Sequence, residues 1–316
     1  MKYFWPLVLV LFVLGGCQTL MKERPAEGET PVEKVKKGIP EEEKTVEEKN
    51  IIEKPEEKPA EEEVVMVPER IEKKKLEKSI PVYIITKEST YFGTGVLDTY
   101  TIYEYDKNNN LIRENVYAFD DTLFEYTVYK YSNGKLVGKR SYDQDGKLKT
   151  LHKYEYMGNG LLFKDYLFDG NESLQGVSQY DYDNEGRKIK WSVYDSSGAL
   201  MAYTTYEYED GRMVSIKIYS ASGNLESYSR IHYSGGRKIL EEFFTSDGTL
   251  QKKTEFVYED SKLVEERSYG SSGKLRSKVR YDYDTNGNVE KMVYLDENDN
   301  IVEIKVREYK KLERHG

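Results

Sequence analysis

The chain has 316 residues, 38% of them apolar and 33% charged, with a net charge of −9. That balance, with no basic stripe to neutralise phosphates, argues against a nucleic-acid partner. A single cysteine, Cys17, excludes an intrachain disulfide and any cysteine-built metal site.

Lys2 precedes an apolar run from Trp5 to Leu14, followed by Leu14-Gly15-Gly16-Cys17. A positive start, a short apolar core and small residues before the cut predict a signal peptide over 1–16, too brief for a comfortable membrane span. With its leucine three positions before the cysteine, the segment resembles a bacterial lipoprotein lipobox. The resemblance implies lipidation of the Cys17 thiol, cleavage after Gly16 and acylation of the new amino group. Several acyl chains on one residue give stable anchoring. Gln18, where an Asp would retain an enteric lipoprotein at the inner membrane, implies a cell-envelope location at the outer membrane.

Residues 17–80 read as a lipid-anchored linker rich in Glu, Lys and Pro. From Met21 to Ser79 there is no aromatic residue, and such a stretch cannot bury enough apolar surface to offset its ordering entropy. It is expected to form a disordered or partly helical stalk with a reach of roughly 45 Å.

Residues 81–310 repeat. Paired residues recur at steps of 25 or 26: Tyr103/Tyr105, Tyr129/Tyr131, Tyr154/Tyr156, Tyr180/Tyr182, Tyr206/Tyr208, Ile231/Tyr233, Phe256/Tyr258 and Tyr281/Tyr283. A fixed period of this length marks a stacked array of about nine units. Between the pairs an aromatic is followed four residues on by Gly and two further by Leu, as in Tyr142, Gly146 and Leu148. Turns such as Ser132-Asn133-Gly134 and Asp210-Gly211 supply the positive φ of tight hairpins.

Period-two runs such as Leu97, Thr99, Thr101, Tyr103 and Tyr105 predict strands with one covered face. No proline follows Pro81, which suits continuous ladders. The expected fold is all-β: a tandem antiparallel β-hairpin repeat of 18 segments from Tyr83 to near Tyr309, forming a long twisted meander, open or spiralling. The sequence leaves closure undecided. Leucines and tyrosines are expected on one face, each Leu beside a Tyr of the next strand. A polar tail, 311–316, follows. Residues such as Lys188 to Lys190 and Arg276 to Arg280 leave no face continuously apolar, against a transmembrane barrel.

Units such as Tyr180-Asp-Tyr182-Asp-Asn-Glu-Gly186-Arg resemble the tyrosine-aspartate (YD) repeats of bacterial Rhs-type proteins. They are also similar to MORN-like hairpin repeats of some proteins described as antitoxin components. Rhs proteins are far longer and end in a variable toxic segment that this chain does not show.

Three histidines, His152, His232 and His315, fall in separate places, and no nucleophile elbow, phosphate loop or paired-Cys motif is present. The expectation is therefore not an enzyme, with no cofactor and no metal. Asp143-Gln-Asp145-Gly146 and Asp296-Glu-Asn298-Asp299-Asn300 offer oxygens to calcium, but these are also ordinary turn residues. Candidate binding residues are the tyrosine ribs: Tyr103, Tyr105, Tyr129, Tyr131, Tyr154, Tyr156, Tyr180, Tyr182, Tyr206, Tyr208, Tyr281 and Tyr283. Tyrosine anchors partners at low entropic cost. The first expectation is a membrane-anchored, non-enzymatic scaffold or protein-binding surface. The alternatives are a cell-wall glycan or peptidoglycan binder and, suggested by the repeat resemblance, a toxin-immunity or antitoxin-like partner.

Overall fold

In the computed structural model the described residues are 81–312. The signal peptide, Cys17, the linker up to residue 80 and most of the polar tail lie outside them. The described part is all-β. Its strands are β1 (Tyr83–Phe92), β2 (Leu97–Tyr105), β3 (Leu111–Ala118), β4 (Leu123–Ser132), β5 (Lys135–Asp143) and β6 (Leu148–Tyr156). They continue as β7 (Leu162–Asp169), β8 (Leu174–Tyr182), β9 (Lys188–Asp195), β10 (Leu200–Glu209), β11 (Arg212–Ser220) and β12 (Leu225–Ser234). The last six are β13 (Arg237–Thr245), β14 (Leu250–Glu259), β15 (Lys262–Gly270), β16 (Leu275–Tyr283), β17 (Val289–Asp296) and β18 (Ile301–Lys311). The expected meander of 18 segments is what forms.

Each strand pairs antiparallel with the next, and β1 pairs with both β2 and β18. The sheet therefore closes into a barrel; it neither stays open nor spirals. Closure removes both edges, so no row of backbone donors and acceptors is left for another chain to pair with.

The tilt of the wall is written in the register. Tyr103 lies opposite Glu114, and Glu114 opposite Thr127, two residues short of Tyr129, the counterpart of Tyr103 one repeat on. The next unit does the same: Tyr129 to Lys139 to His152, two short of Tyr154. Two residues of rise for every two strands tilts the strands by about 35°, and eighteen such strands place the backbone roughly 17 Å from the axis.

The expected Leu–Tyr neighbours are present at both rims, for example Tyr105 opposite Leu111 and Tyr142 opposite Leu148. Each such pair also sits at a register shift, with one extra residue bulged out: Ile112 in the first case and Lys149 in the second. A bulge breaks the period-two alternation, so the expectation that Leu200, Ala202, Thr204, Tyr206 and Tyr208 form one unbroken face does not hold through Leu200. Ala202 faces Val193, whereas Leu200 faces Tyr194 on the other side of the alternation.

The turns follow their residues. Asn133 and Gly134 have φ of 50° and 73°, and Asp210 and Gly211 have 48° and 75°, the left-handed pair a two-residue hairpin of matching twist requires. On the opposite rim, aspartates close wider turns: Asp143 Oδ1 accepts from the amides of Asp145 and Lys147, and Asp296 Oδ1 from those of Asn298 and Asn300.

Candidate functional site: the tyrosine-lined rim

The rim at which β1 begins and β18 ends is here the terminal rim; the other is the distal rim. The first tyrosine of each pair lies on the face of the buried Ala202, Thr204, Ser229, Ile231 and Met292, while charged residues such as Lys130, Glu155, Glu207 and Arg280 are exposed on the other, which also buries Leu151, Asn115 and Ser192. In a closed sheet the more crowded face is the concave one, and burial is what desolvates the first tyrosines. The structure thus gathers Tyr103, Tyr129, Tyr154, Tyr180, Tyr206 and Tyr281 into one interior row near the terminal rim, with Ile231, Phe256 and Arg307 at the equivalent positions of the remaining strands.

The second row is tied to the wall. Tyr105, Tyr156, Tyr182, Tyr208, Tyr233, Tyr283 and Tyr309 each donate their hydroxyl to the backbone carbonyl 20 residues earlier, at 2.7–2.9 Å. The acceptor sits at the start of the preceding strand, so each hydroxyl bridges two adjacent hairpins where the ladder between them has ended. Tyr131 makes no such bond among the described residues.

Opposite the interior tyrosines runs a second periodic row that the sequence reading missed: Glu114, Lys139, Asp165, Trp191, Ile216, Glu241, Glu266 and Met292. Its signal was the same 25- or 26-residue step. Asp165 sits 2.9 Å from His152 Nδ1, Glu241 accepts from Lys238 Nζ at 2.6 Å, and Tyr281 donates to Glu266 at 2.8 Å. At the closure seam, Arg307 Nε donates to Glu88 at 2.7 Å, with Lys305 3.8 Å away. The indole N–H of Trp191 is buried and meets no protein acceptor.

Burial dominates the electrostatics of this interior. It pushes Tyr206 up to about 12, with Tyr180 and Tyr208 adding to the effect. Burial, reinforced by neighbouring carboxylates, also raises Tyr103, Tyr129, Tyr154 and Tyr281. Lys188, whose ammonium lies 4.4 Å from the centre of the Tyr206 ring, is lowered by the same desolvation. The interior phenols are thus neutral hydrogen-bonding groups at any ordinary pH.

A third aromatic set, also unforeseen, lies on the convex face. Tyr100 stacks on Tyr117, Tyr126 on Tyr142, Tyr203 on Tyr219 and Tyr228 on Phe244, with centroids 4.8–5.1 Å apart. A cation caps each stack: Lys87, Arg113, Lys190 and Arg230. Around them, Arg267 and Arg280 both reach Glu265, and His232 Nε2 lies 3.0 Å from Glu242.

Among the described residues, no group of three or more His, Cys, Asp or Glu is placed to hold a metal ion. The turn oxygens proposed for calcium, on Asp143 and Asp296, are engaged by their own turn amides.

No protein-family model matches the chain, and a search of curated proteins returns no match. Solved structures similar to it include TcdB2-TccC3, at 15% identity and a TM-score of 0.31, with 70% of this chain covered. The chain spans about 15% of the length of that one. A porin-like protein from Bacteroides uniformis ATCC 8492 is similar at 11% identity over 72% of this chain and 98% of its own, with a TM-score of 0.43. Another, from Bacteroides vulgatus ATCC 8482, aligns at 10% identity over 72% and 99%, with a TM-score of 0.29.

Proposed function

We propose that this chain is a lipid-anchored protein of the cell envelope whose closed repeat barrel acts as a non-enzymatic scaffold, presenting a protein-binding surface at the end of a tether fixed through Cys17. The observation that carries this reading is the use to which the tyrosines are put. Seven second-row hydroxyls are bound to backbone carbonyls, and cations sit over interior rings such as Tyr129 and Tyr206. Groups engaged in this way hold the wall together, which favours a packing role over a sugar-stacking one.

The convex face supports a barrel held beside a membrane and not across it. Its Glu265–Arg267–Arg280 cluster would have to enter hydrocarbon in a spanning barrel, at about 2–4 kcal/mol for each midplane cation. The tether supplies the membrane contact in its place.

Two measurements test the reading. Labelled palmitate should enter the full chain and vanish in Cys17→Ser; label retained in that variant would remove the anchor. Purified wall sacculi should not sediment the native protein, whereas affinity capture from envelope extract should return a discrete protein band. Sedimentation with sacculi that Tyr154→Ala and Tyr180→Ala abolish would replace the scaffold by a glycan-binding module.

A further inference from the structure

The distal rim departs from its own repeat in one sector. Three turns that are neighbours around the rim, β17/β18, β1/β2 and β3/β4, expose Ile301, Val302, Phe92, Val96, Phe119 and Phe124 at 44–68%. Ile301 holds the place of the repeat leucine, but at the positions matching the other five the remaining distal turns are mostly polar. Where this sector has Val96, the repeats have Lys147, Ser173 and Asn224; where it has Val302 and Phe124, they have Lys149, Glu226 and Arg276. Hairpin chemistry does not require the change, because the polar turns close equally well. Large apolar residues clustered at equivalent positions of adjacent turns mark an interaction surface.

The electrostatics of the same sector select the partner. Residues 92–98, 118–124 and 296–302 contain six carboxylates and no Lys or Arg. Two of the six are met by cations from the neighbouring β15/β16 hairpin, Lys274 to Glu297 and Lys278 to Asp299, which leaves the sector acidic. A second copy docked rim to rim would set acid against acid. The geometry points to a cationic, amphipathic protein segment as the occupant: apolar side chains seated among Phe119, Phe124 and Val302, with flanking Lys or Arg answering the carboxylates. This rests on the scaffold reading and specifies which face of the barrel does the binding and what chemistry it accepts.

The test uses the full lipidated chain in zwitterionic-lipid nanodiscs, with empty discs as background. The probe is a fluorescein-labelled helical Leu/Lys peptide, with Leu/Glu and Ser/Lys peptides as controls, read by anisotropy. The Leu/Lys peptide should bind and the two controls should not. The combined change Phe119→Ser, Phe124→Ser and Val302→Ser, which installs residues of the polar-turn type at exposed positions, should weaken binding about tenfold or more. Equal binding to that variant, or equal binding of the Leu/Glu peptide, overturns the proposal. So does a concentration-dependent doubling of mass in light scattering that the same substitutions abolish, which would make a second copy the occupant. If envelope capture by the native chain fails while the peptide still binds, the scaffold reading falls and the surface stands. If capture succeeds equally with native and triply substituted protein, the scaffold stands and this surface falls.

Discussion

The hydroxyl of Tyr156, on the last residue of β6, donates to the carbonyl of Leu136 at the start of β5 at 2.7 Å, joining two hairpins where their ladder has ended. An intramolecular hydrogen bond of this kind contributes about 1 kcal/mol. Tyr156→Phe should therefore lower the unfolding free energy by about that amount, read as a lower urea midpoint with an unchanged m-value. Tyr131→Phe, at the equivalent position without the bond, should be close to neutral. Equal losses at both positions would show that the hydroxyls do not tie the hairpins.

The barrel is fastened where its ends meet. Arg307 and Glu88 face each other across the β1–β18 pairing, both largely covered. Removing Arg307 leaves Glu88 with only its longer contact to Lys305, so Arg307→Met should destabilise the barrel, by less than the roughly 3 kcal/mol of a fully buried pair broken. Hydrogen exchange should rise first in β1 and β18, because among the described residues only this seam joins strands distant in sequence. Uniform loss of protection over all strands would contradict a local seam.

The two tightest backbone approaches admit no side chain. A Cβ on Gly93 would stand 1.8 Å from the Ile301 carbonyl oxygen, and one on Gly170 would stand 2.2 Å from that of Leu148. Gly93→Ala and Gly170→Ala must displace backbone, at a cost of about 1–3 kcal/mol or more. Gly158→Ala meets nothing within 4 Å and should leave the melting temperature unchanged. Thermal melts of the three variants decide the point.

Alkali should open the barrel. Burial favours the neutral phenol of Tyr206 in the folded state, raising it from 10.0 to about 12. Above pH 10 the unfolded chain then holds fewer protons than the folded one. The stabilisation is complete below pH 10 and is lost as pH rises through 10 to 12. Absorbance of phenolate at 295 nm should show a late-titrating group of tyrosines that appears together with loss of strand signal. Ionisation of all tyrosines near pH 10 with the fold intact would refute this.

Much of the architecture is legible in the residues themselves. The Tyr and Leu steps locate every strand, and Asn133-Gly134 and Asp210-Gly211 announce their turns, because each rests on local sterics. The bulges at Ile112 and Lys149 leave no mark, since an extra residue beside a Leu–Tyr pair alters pairing without altering composition. Closure is equally silent. Glu88 and Arg307 are ordinary strand charges until the accumulated tilt brings them together across 219 positions. Of the candidate site, the paired tyrosines were readable, whereas the facing row from Glu114 to Met292 was hidden by its mixed chemistry.

The two-residue offset carried by each hairpin has an evolutionary corollary. Because every module brings its own share of stagger along with its own pair of strands, inclination does not depend on how many modules the ring contains. Duplication or loss of one 26-residue unit would change the bore by two strands and still let first and last strands meet in register. Such a gene can resize its ring by copy number alone.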